Sequence, residues 1–112
     1  MGEFRPANPE AVEYKAYARH FDHPDEKPDR RAVLYIMATM TYPDSGWEVM
    51  LVPQAGEPDT WRLLEDEPGF RDNDRTYYVA CGSSEHELEA VPKTVRVIEA
   101  DSSTRVSVVP WD

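Results

Sequence analysis

Two apolar segments in the middle of the chain constrain its fold more than any other feature. Residues 32–42 form a long run of aliphatic, β-branched and aromatic side chains, and residues 47–52 form a second run. The Pro-Asp-Ser-Gly sequence between them is typical of a turn, because proline presets φ and glycine accepts a left-handed backbone. The pattern predicts an antiparallel hairpin in which Tyr42 faces Trp47.

This predicted hairpin is apolar on both of its faces. With Tyr42 opposite Trp47, one face carries six apolar side chains and becomes the expected core side. A sandwich strand normally has one polar face, so the reverse face requires a cover, either a second protein chain or a segment of the same chain. The expected core face comprises Leu34, Ile36, Ala38, Met40, Val49 and Leu51, and the expected interface comprises Val33, Tyr35, Met37, Met50 and Val52.

Residues 9–21 decide between two fold classes. Read with a period of two, their apolar side chains alternate with charged ones, as in a half-buried strand. Read with the helical period, Asn8 becomes an N-cap, and Tyr14, Tyr17 and Phe21 share one stripe. We favour the strand, because the alternation extends over the whole run and the later segments also read as strands.

The rest of the chain reads as short strands between turns. Residues 60–65 and 75–81 predict two strands, the second ending at Gly82, and Ser84 has the spacing of a helix cap before one helical turn. Most of the connections contain proline or glycine, which favours exposed loops between the strands.

A second hairpin is predicted near the end of the chain. Residues 94–100 and 105–109 both alternate, and their valines supply one apolar face opposite a polar one. Pro110 lacks the N–H that a sheet ladder needs, so we expect the last strand to lie at a sheet edge.

Together these segments predict an all-β fold. Seven strand candidates describe a seven-stranded antiparallel two-sheet sandwich of immunoglobulin-like architecture. The expected organisation is a single domain over residues 1–112, with residues 1–10 as an irregular lead-in. The alternative is an α+β fold, in which residues 9–21 form a helix packed on an antiparallel sheet.

The charge balance excludes two classes of partner. The chain has 22 acidic and 12 basic side chains, a formal net charge of −10. An acidic surface repels phosphate backbones and anionic lipid headgroups, so we expect neither nucleic acid nor a membrane as partner. Cys81 is the only cysteine. The lone thiol excludes an intrachain disulfide and favours a cytoplasmic protein.

One loop contains candidate metal ligands. His20 and His23, followed by Asp25, are residue types that bind transition metals, and His86 is a candidate third nitrogen ligand. This set falls short of a complete site, so a solvated loop is the preferred interpretation. Metal or small-ligand binding through the His20–Asp25 loop is therefore the alternative function.

Two other patterns have simpler interpretations than chemistry. Cys81 precedes a glycine and lies near His86 in sequence, as a reactive thiolate would, but a lone cysteine in an alternating segment is usually a core residue. Acidic clusters at 65–67 and 72–74 resemble hard-cation ligands, although no fixed calcium-binding spacing is present.

The sequence contains no motif of established catalytic chemistry. We therefore expect a small, soluble, non-enzymatic domain without a cofactor. Its expected role is protein–protein interaction or self-association, as a homodimer or with another protein, through the interface residues named above.

Overall fold

All the extended regular structure in the described part of the chain is β-strand. The computed structural model describes residues 3–21, 31–69, 74–87 and 90–110, and these ranges contain no α-helix. The strands are β1 (Arg5–Pro6), β2 (Ala11–Phe21), β3 (Arg31–Tyr42), β4 (Glu48–Pro53), β5 (Thr60–Asp66), β6 (Thr76–Glu87), β7 (Thr94–Ile98) and β8 (Ser103–Pro110).

The strands form one curled, mixed sheet. Its order is β1-β5-β7-β8-β2-β3-β6, and β4 pairs with β5 as well. Most neighbours are antiparallel, but β5 pairs with β7, and β2 with β8, in parallel. The sheet turns at β8, whose first residues pair with β7 and whose last residues, Val108–Pro110, pair with β2. The all-β prediction is confirmed, whereas the architecture is a half-barrel rather than a clear two-sheet antiparallel sandwich.

The predicted hairpin between the two central runs is wrong. β3 pairs with β2 and with β6 along its length, and β4 pairs with β5 instead. An apolar central strand is most stable when both of its edges are hydrogen-bonded, and two long neighbours satisfy both edges of β3. The turn still reverses the chain, with Gly46 at φ 93°. Tyr42 and Trp47 therefore meet as stacked rings, 4.5 Å between centroids.

The first part of the chain is more ordered than a lead-in. β2 is a strand, as the alternation predicts, so the α+β alternative does not apply. Within residues 1–10, Arg5–Pro6 forms β1 against the end of β5, and Ala7 is fully buried. The N–H of Ala7 donates to the carbonyl of Leu63 over 2.9 Å.

The expected core face is confirmed even though its strands pair differently. Side chains of β3 and β4 meet across the inside of the curled sheet instead of side by side. Leu34, Ile36, Ala38, Met40 and Leu51 are buried, and Val49 packs against them while partly buried.

Gly82 has a different role from the one that its sequence position indicates. It does not end β6, which continues to Glu87, so the helical turn predicted from Ser84 is wrong over residues 84–87. Gly82 faces Trp61, which is buried, and a Cβ at this position would lie 2.5 Å from the Trp61 ring. The absence of a side chain is what lets the indole pack there.

The second predicted hairpin is confirmed. β7 and β8 are antiparallel with Val95 opposite Val106, and both valines are buried. The edge position predicted for β8 is wrong at its last residues, because Val108–Pro110 pair with β2, whereas Ser103–Ser107 pair with β7 alone. Pro110 is tolerated because it occupies the last residue of the strand, where few ladder positions follow it.

Three long strands give the molecule its length. Its principal extents are 53 × 25 × 24 Å, and its radius of gyration is 16.0 Å, against about 13 Å for a compact chain of this size. The β2–β3–β6 ladder extends over up to 12 residues per strand. One side of this ladder faces the core, and the opposite side is the surface described next.

Candidate interaction surface

The outer face of the β2–β3–β6 ladder is the most apolar exposed surface of the described residues. We use this name, the outer face, for the odd-numbered side chains of the three strands, which point away from the core. The ladder register aligns them in rows: Tyr17–Tyr35–Ser83, Lys15–Met37–Cys81 and Glu13–Thr39–Val79.

Exposed apolar side chains concentrate on this face. Among the described residues, three of the five exposed large apolar side chains belong to it. Tyr77 is 73% exposed, Val79 is 56% exposed and Tyr35 is 37% exposed. Clusters of this kind on one face, rather than scattered singly, are typical of protein interaction sites.

The structure brings only part of the predicted interface together. Val33, Tyr35 and Met37 lie on the outer face of β3, where Tyr35 is exposed and its two neighbours are partly buried. Met50 and Val52 lie on β4, whose ladder partner is β5. The five side chains therefore do not form one ribbon, because β3 and β4 are not paired.

Sequence reasoning missed the two most exposed members of the face. Tyr77 and Val79 were not among the residues predicted for the interface, and the structure directs their neighbours Tyr78 and Ala80 inward. The Tyr78 hydroxyl accepts a hydrogen bond from the N–H of Trp47 at 3.2 Å. Gly82 lies on the same side of β6 as Tyr78 and Ala80, where it faces the buried Trp61 ring.

Charges are distributed unequally across the outer face. Lys15 and Arg19 are exposed on β2, together with Glu13, while Glu85 and Glu87 are exposed on β6. The register places Arg19, Val33 and Glu85 in one row across the three strands. The face is thus mostly basic along one border and acidic along the other.

Cys81 and His86 do not form a nucleophile–base pair. Cys81 is an exposed free thiol on the outer face, beside Met37 in the ladder. His86 points to the opposite side of β6, where its Nε2 lies 2.7 Å from the Ser84 hydroxyl oxygen. Residues five apart on a strand face opposite ways, so the sequence proximity carried no spatial meaning.

The candidate metal loop cannot be placed against other ligands. Residues 22–30, with His23 and Asp25, and the side chain of His20 lie outside the described residues. Within the described ranges, no group of three or more His, Cys, Asp or Glu side chains is arranged to hold a metal ion. Metal binding through this loop stays a prediction.

A buried carboxylate anchors the opposite end of the inner face. Glu65, only 2% exposed, accepts hydrogen bonds from the Tyr42 hydroxyl at 2.9 Å, the Asn8 N–H at 2.5 Å and Arg5 Nε at 3.2 Å. Arg5 also lies over the Trp47 ring, 5.9 Å from its centroid. Since the donors come from β3 and from the segment around β1, Glu65 joins two other parts of the chain to β5.

Two tyrosines near this cluster have raised pKa values. Burial, then the hydrogen bond to Glu65, raises the pKa of Tyr42 above its ordinary value. Burial, then the charge of Glu99, raises the pKa of Tyr14, whose buried hydroxyl has no hydrogen-bonding partner in suitable geometry among the described residues. Every oxygen of Glu65 is occupied, so this cluster has the character of a structural clamp rather than of an acid–base site.

Comparison of the chain with protein-family models, curated proteins and solved structures finds no significant match. Within the described ranges, no helical segment has the length and apolar character needed to cross a membrane.

Proposed function

We propose that this chain is a small non-enzymatic domain that self-associates through the outer face of β2–β3–β6. The observation that carries the proposal is the exposure of Tyr35, Tyr77 and Val79 on one side of a ladder whose other side is core. Water contact with such a patch is unfavourable, and burial of its apolar area favours association.

The area of the outer face is large enough for a dimer interface of modest affinity. Three strands about 4.8 Å apart, with residues about 3.3 Å apart, give a projected area of roughly 550 Å² over a ladder of this length. The accessible area of a corrugated surface is larger than its projection. A standard interface buries about 800 Å² per partner, so the face supports a dimer of modest affinity without other contacts.

The charge distribution favours a second copy as the partner. A two-fold axis parallel to β3 lays β2 of one copy over β6 of the other at the same level of the ladder. Arg19 then approaches Glu85 of the second copy, and the reciprocal pair forms on the other side of the axis. The basic border thus meets the acidic border twice, which fixes the register of the two copies.

Light scattering coupled to size exclusion tests the proposal. The wild-type chain is expected to have twice its monomer mass of 12.9 kDa at high concentration. The Tyr35→Asp/Met37→Asp variant is expected to be a folded monomer, because two carboxylates at the centre of the face oppose burial.

Met50→Asp is the matched control. Met50 and Tyr35 are both 37% exposed, but Met50 lies on β4, outside the ladder. The control is expected to keep the wild-type mass. A monomeric wild type, or a double variant that unfolds instead of dissociating, would contradict the proposal, since unfolding would mean that the outer face belongs to the core.

A further inference from the structure

β2 and β8 are hydrogen-bonded to one another at one end only. Their parallel ladder covers Ala16–Ala18 against Val108–Pro110. On the N-terminal side of this ladder, the two strands separate around a cleft of about 610 Å³. The cleft is lined by residues 12–17, 104–107 and 109. Because consecutive strand residues point to opposite sides of a sheet, this lining shows that the cleft opens between the two backbones.

The cleft exposes two strand edges. β3 occupies the other edge of β2, and β7 occupies the other edge of β8. Residues 11–15 and 103–107 therefore have no ladder partner on the cleft side among the described residues. Backbone edges of this kind bind extended peptides, which add a strand and supply the missing hydrogen bonds.

The strands around the cleft have more bases than acids on their outward-facing sides, on a chain that is acidic as a whole. Outward-facing side chains of the neighbouring strands β5, β7, β8 and β2 include five bases and two acids, against a net charge of −10 for the chain. The bases are Lys15, Arg19, Arg62, Arg96 and Arg105, and the acids are Glu13 and Asp66.

One pair of these bases lacks a counter-charge. Arg96 and Arg105 are directly opposite one another in the β7–β8 ladder, and both are exposed. Neither has an ion-pair partner among the described residues. Like charges placed opposite in a ladder are destabilising, so an incoming anionic group would relieve their repulsion.

We propose that the β2–β8 cleft binds an extended acidic segment of a partner protein as an added strand. Apolar side chains of that segment face Val12 and Val106 on the inner side of the cleft. Its carboxylates face Lys15 and Arg105 on the outer side, where Glu13 is the one opposing charge. A peptide fits better than a nucleic acid, because a peptide backbone completes the two open ladders, whereas a sugar–phosphate backbone has no N–H groups to donate to them.

This inference goes beyond the proposed self-association, and its site overlaps the outer face only at Glu13, Lys15 and Tyr17 of β2. The two sites share β2, but Arg105 lies on β8, outside the β2–β3–β6 ladder. Variants at Arg105 and at Tyr35 therefore separate the failure of one proposal from the failure of the other.

Fluorescence anisotropy with defined peptides tests the cleft. The probe is a labelled peptide of about six residues, the length of a typical strand, with alternating valine and glutamate. Two comparison peptides replace glutamate by lysine or N-methylate alternate backbone amides. We expect binding of the acidic peptide only, because the first change reverses the charge and the second removes the ladder donors.

The variant Arg105→Glu, on β8 and outside the outer face, is expected to weaken this binding by about tenfold, since a favourable charge contact becomes unfavourable. Lys93→Glu is the matched control, an exposed base outside the cleft lining, and is expected to keep the wild-type affinity. Hydrogen exchange of the wild type, which requires no substitution, is expected to slow at residues 11–15 and 103–107 when the acidic peptide is added.

Several results would overturn the inference. One is equal binding of the acidic and N-methylated peptides, and another is unchanged exchange at the two strand edges. Tighter binding of a single-stranded oligonucleotide would assign the basic surface to nucleic acid instead. Loss of wild-type dimer mass in Arg105→Glu would assign the cleft to a second copy of the chain.

Discussion

The two sides of β3 have similar compositions and different environments. On the inner side, Leu34, Ile36 and Met40 are each 1% exposed. On the outer side, Tyr35 is 37% exposed, and Val33 and Met37 are partly buried. The comparison shows that apolar alternation does not by itself select the core side of a strand. The core side is the one that meets side chains from β4, β5 and β7 across the curled sheet.

The two sides are also expected to respond differently to substitution. The inner side ends at Tyr42 and the Glu65 cluster, where each polar atom depends on a neighbour. The outer side is bordered by exposed charges that water already solvates. We therefore expect inner substitutions to change the free energy of unfolding and outer substitutions to change the state of association.

Glu65→Ala is the strongest test on the inner side. It leaves the buried Tyr42 hydroxyl and the Asn8 N–H without their acceptor. We expect a loss of about 3 kcal/mol in unfolding free energy, or roughly 10 °C in Tm, with each orphaned donor costing about 1–3 kcal/mol. Urea unfolding and calorimetry measure both quantities.

The matched control for this variant is Glu67→Ala. Glu67 also contacts Arg5, at 3.6 Å, but its side chain is 46% exposed. Surface substitutions of this kind are usually within about 0.5 kcal/mol of the parent. Equal losses at positions 65 and 67 would show that the buried carboxylate is not the anchor described above.

Gly82→Ala tests the close packing of the inner side. The added Cβ would lie 2.5 Å from the buried Trp61 ring, so the indole must move. We expect a loss of about 2 kcal/mol, within the range of overpacked cores. Gly69→Ala is the control, since a Cβ there meets nothing within 4 Å. The expected cost should shrink when Trp61→Phe is combined with Gly82→Ala, and additive losses would contradict the contact.

The sequence was sufficient wherever structure depends on near neighbours. Alternation in residues 94–109 predicted the β7–β8 hairpin, and Val95 and Val106 are opposite one another as expected. Alternation also predicted β2 as a strand. These features depend on side-chain periodicity over a few residues, which a sequence displays directly.

Pairing between distant strands was not predictable in the same way. The turn before Trp47 suggested that β3 and β4 pair. Instead, β3 pairs with β2, which precedes it in the sequence, and with β6, which follows it. The two parallel pairings, and the position of β6 at the edge of the sheet, likewise depend on how all the strands fit together. The outer face was therefore identified on β3 and missed at Tyr77 and Val79, whose direction follows from the fit of Gly82 against Trp61.

The position of Glu65 was the least predictable feature of the molecule. In the sequence it ends the predicted strand 60–65 and begins an acidic run, whereas in the structure its side chain is only 2% exposed. Burial of a carboxylate requires donors, and those donors are 23 and 57 residues away along the chain. No local pattern marks such a partner set.

Tyr42→Phe and Tyr14→Phe measure how much each buried tyrosine hydroxyl on the inner side contributes to the unfolding free energy. Tyr42→Phe removes a hydrogen bond to a charged acceptor, and we expect it to cost about 1.5 kcal/mol. Tyr14→Phe removes a buried hydroxyl that lies near Glu99 but makes no hydrogen bond of good geometry among the described residues, so this change is expected to cost less than about 0.5 kcal/mol. Urea unfolding of the two variants measures the contrast, and equal losses would mean that the Tyr14 hydroxyl is satisfied after all.

Alkaline pH is expected to lower the unfolding free energy through the same two tyrosines. Both tyrosines have a higher pKa in the folded protein than in the unfolded chain, where the value is about 10. Between these two pKa values, the folded protein keeps phenol protons that the unfolded chain releases. Unfolding free energy therefore falls as pH rises above about 10, and the contribution is intact below it. When the pH is raised to about 10.5, the Tyr14→Phe/Tyr42→Phe variant should lose less unfolding free energy than the wild type, by on the order of 1 kcal/mol.

The exposed Tyr77→Phe variant is the outer-face control, and its unfolding free energy should change with pH as that of the wild type does. If all three chains lose stability in parallel, burial of the two inner tyrosines has no role in the alkaline response.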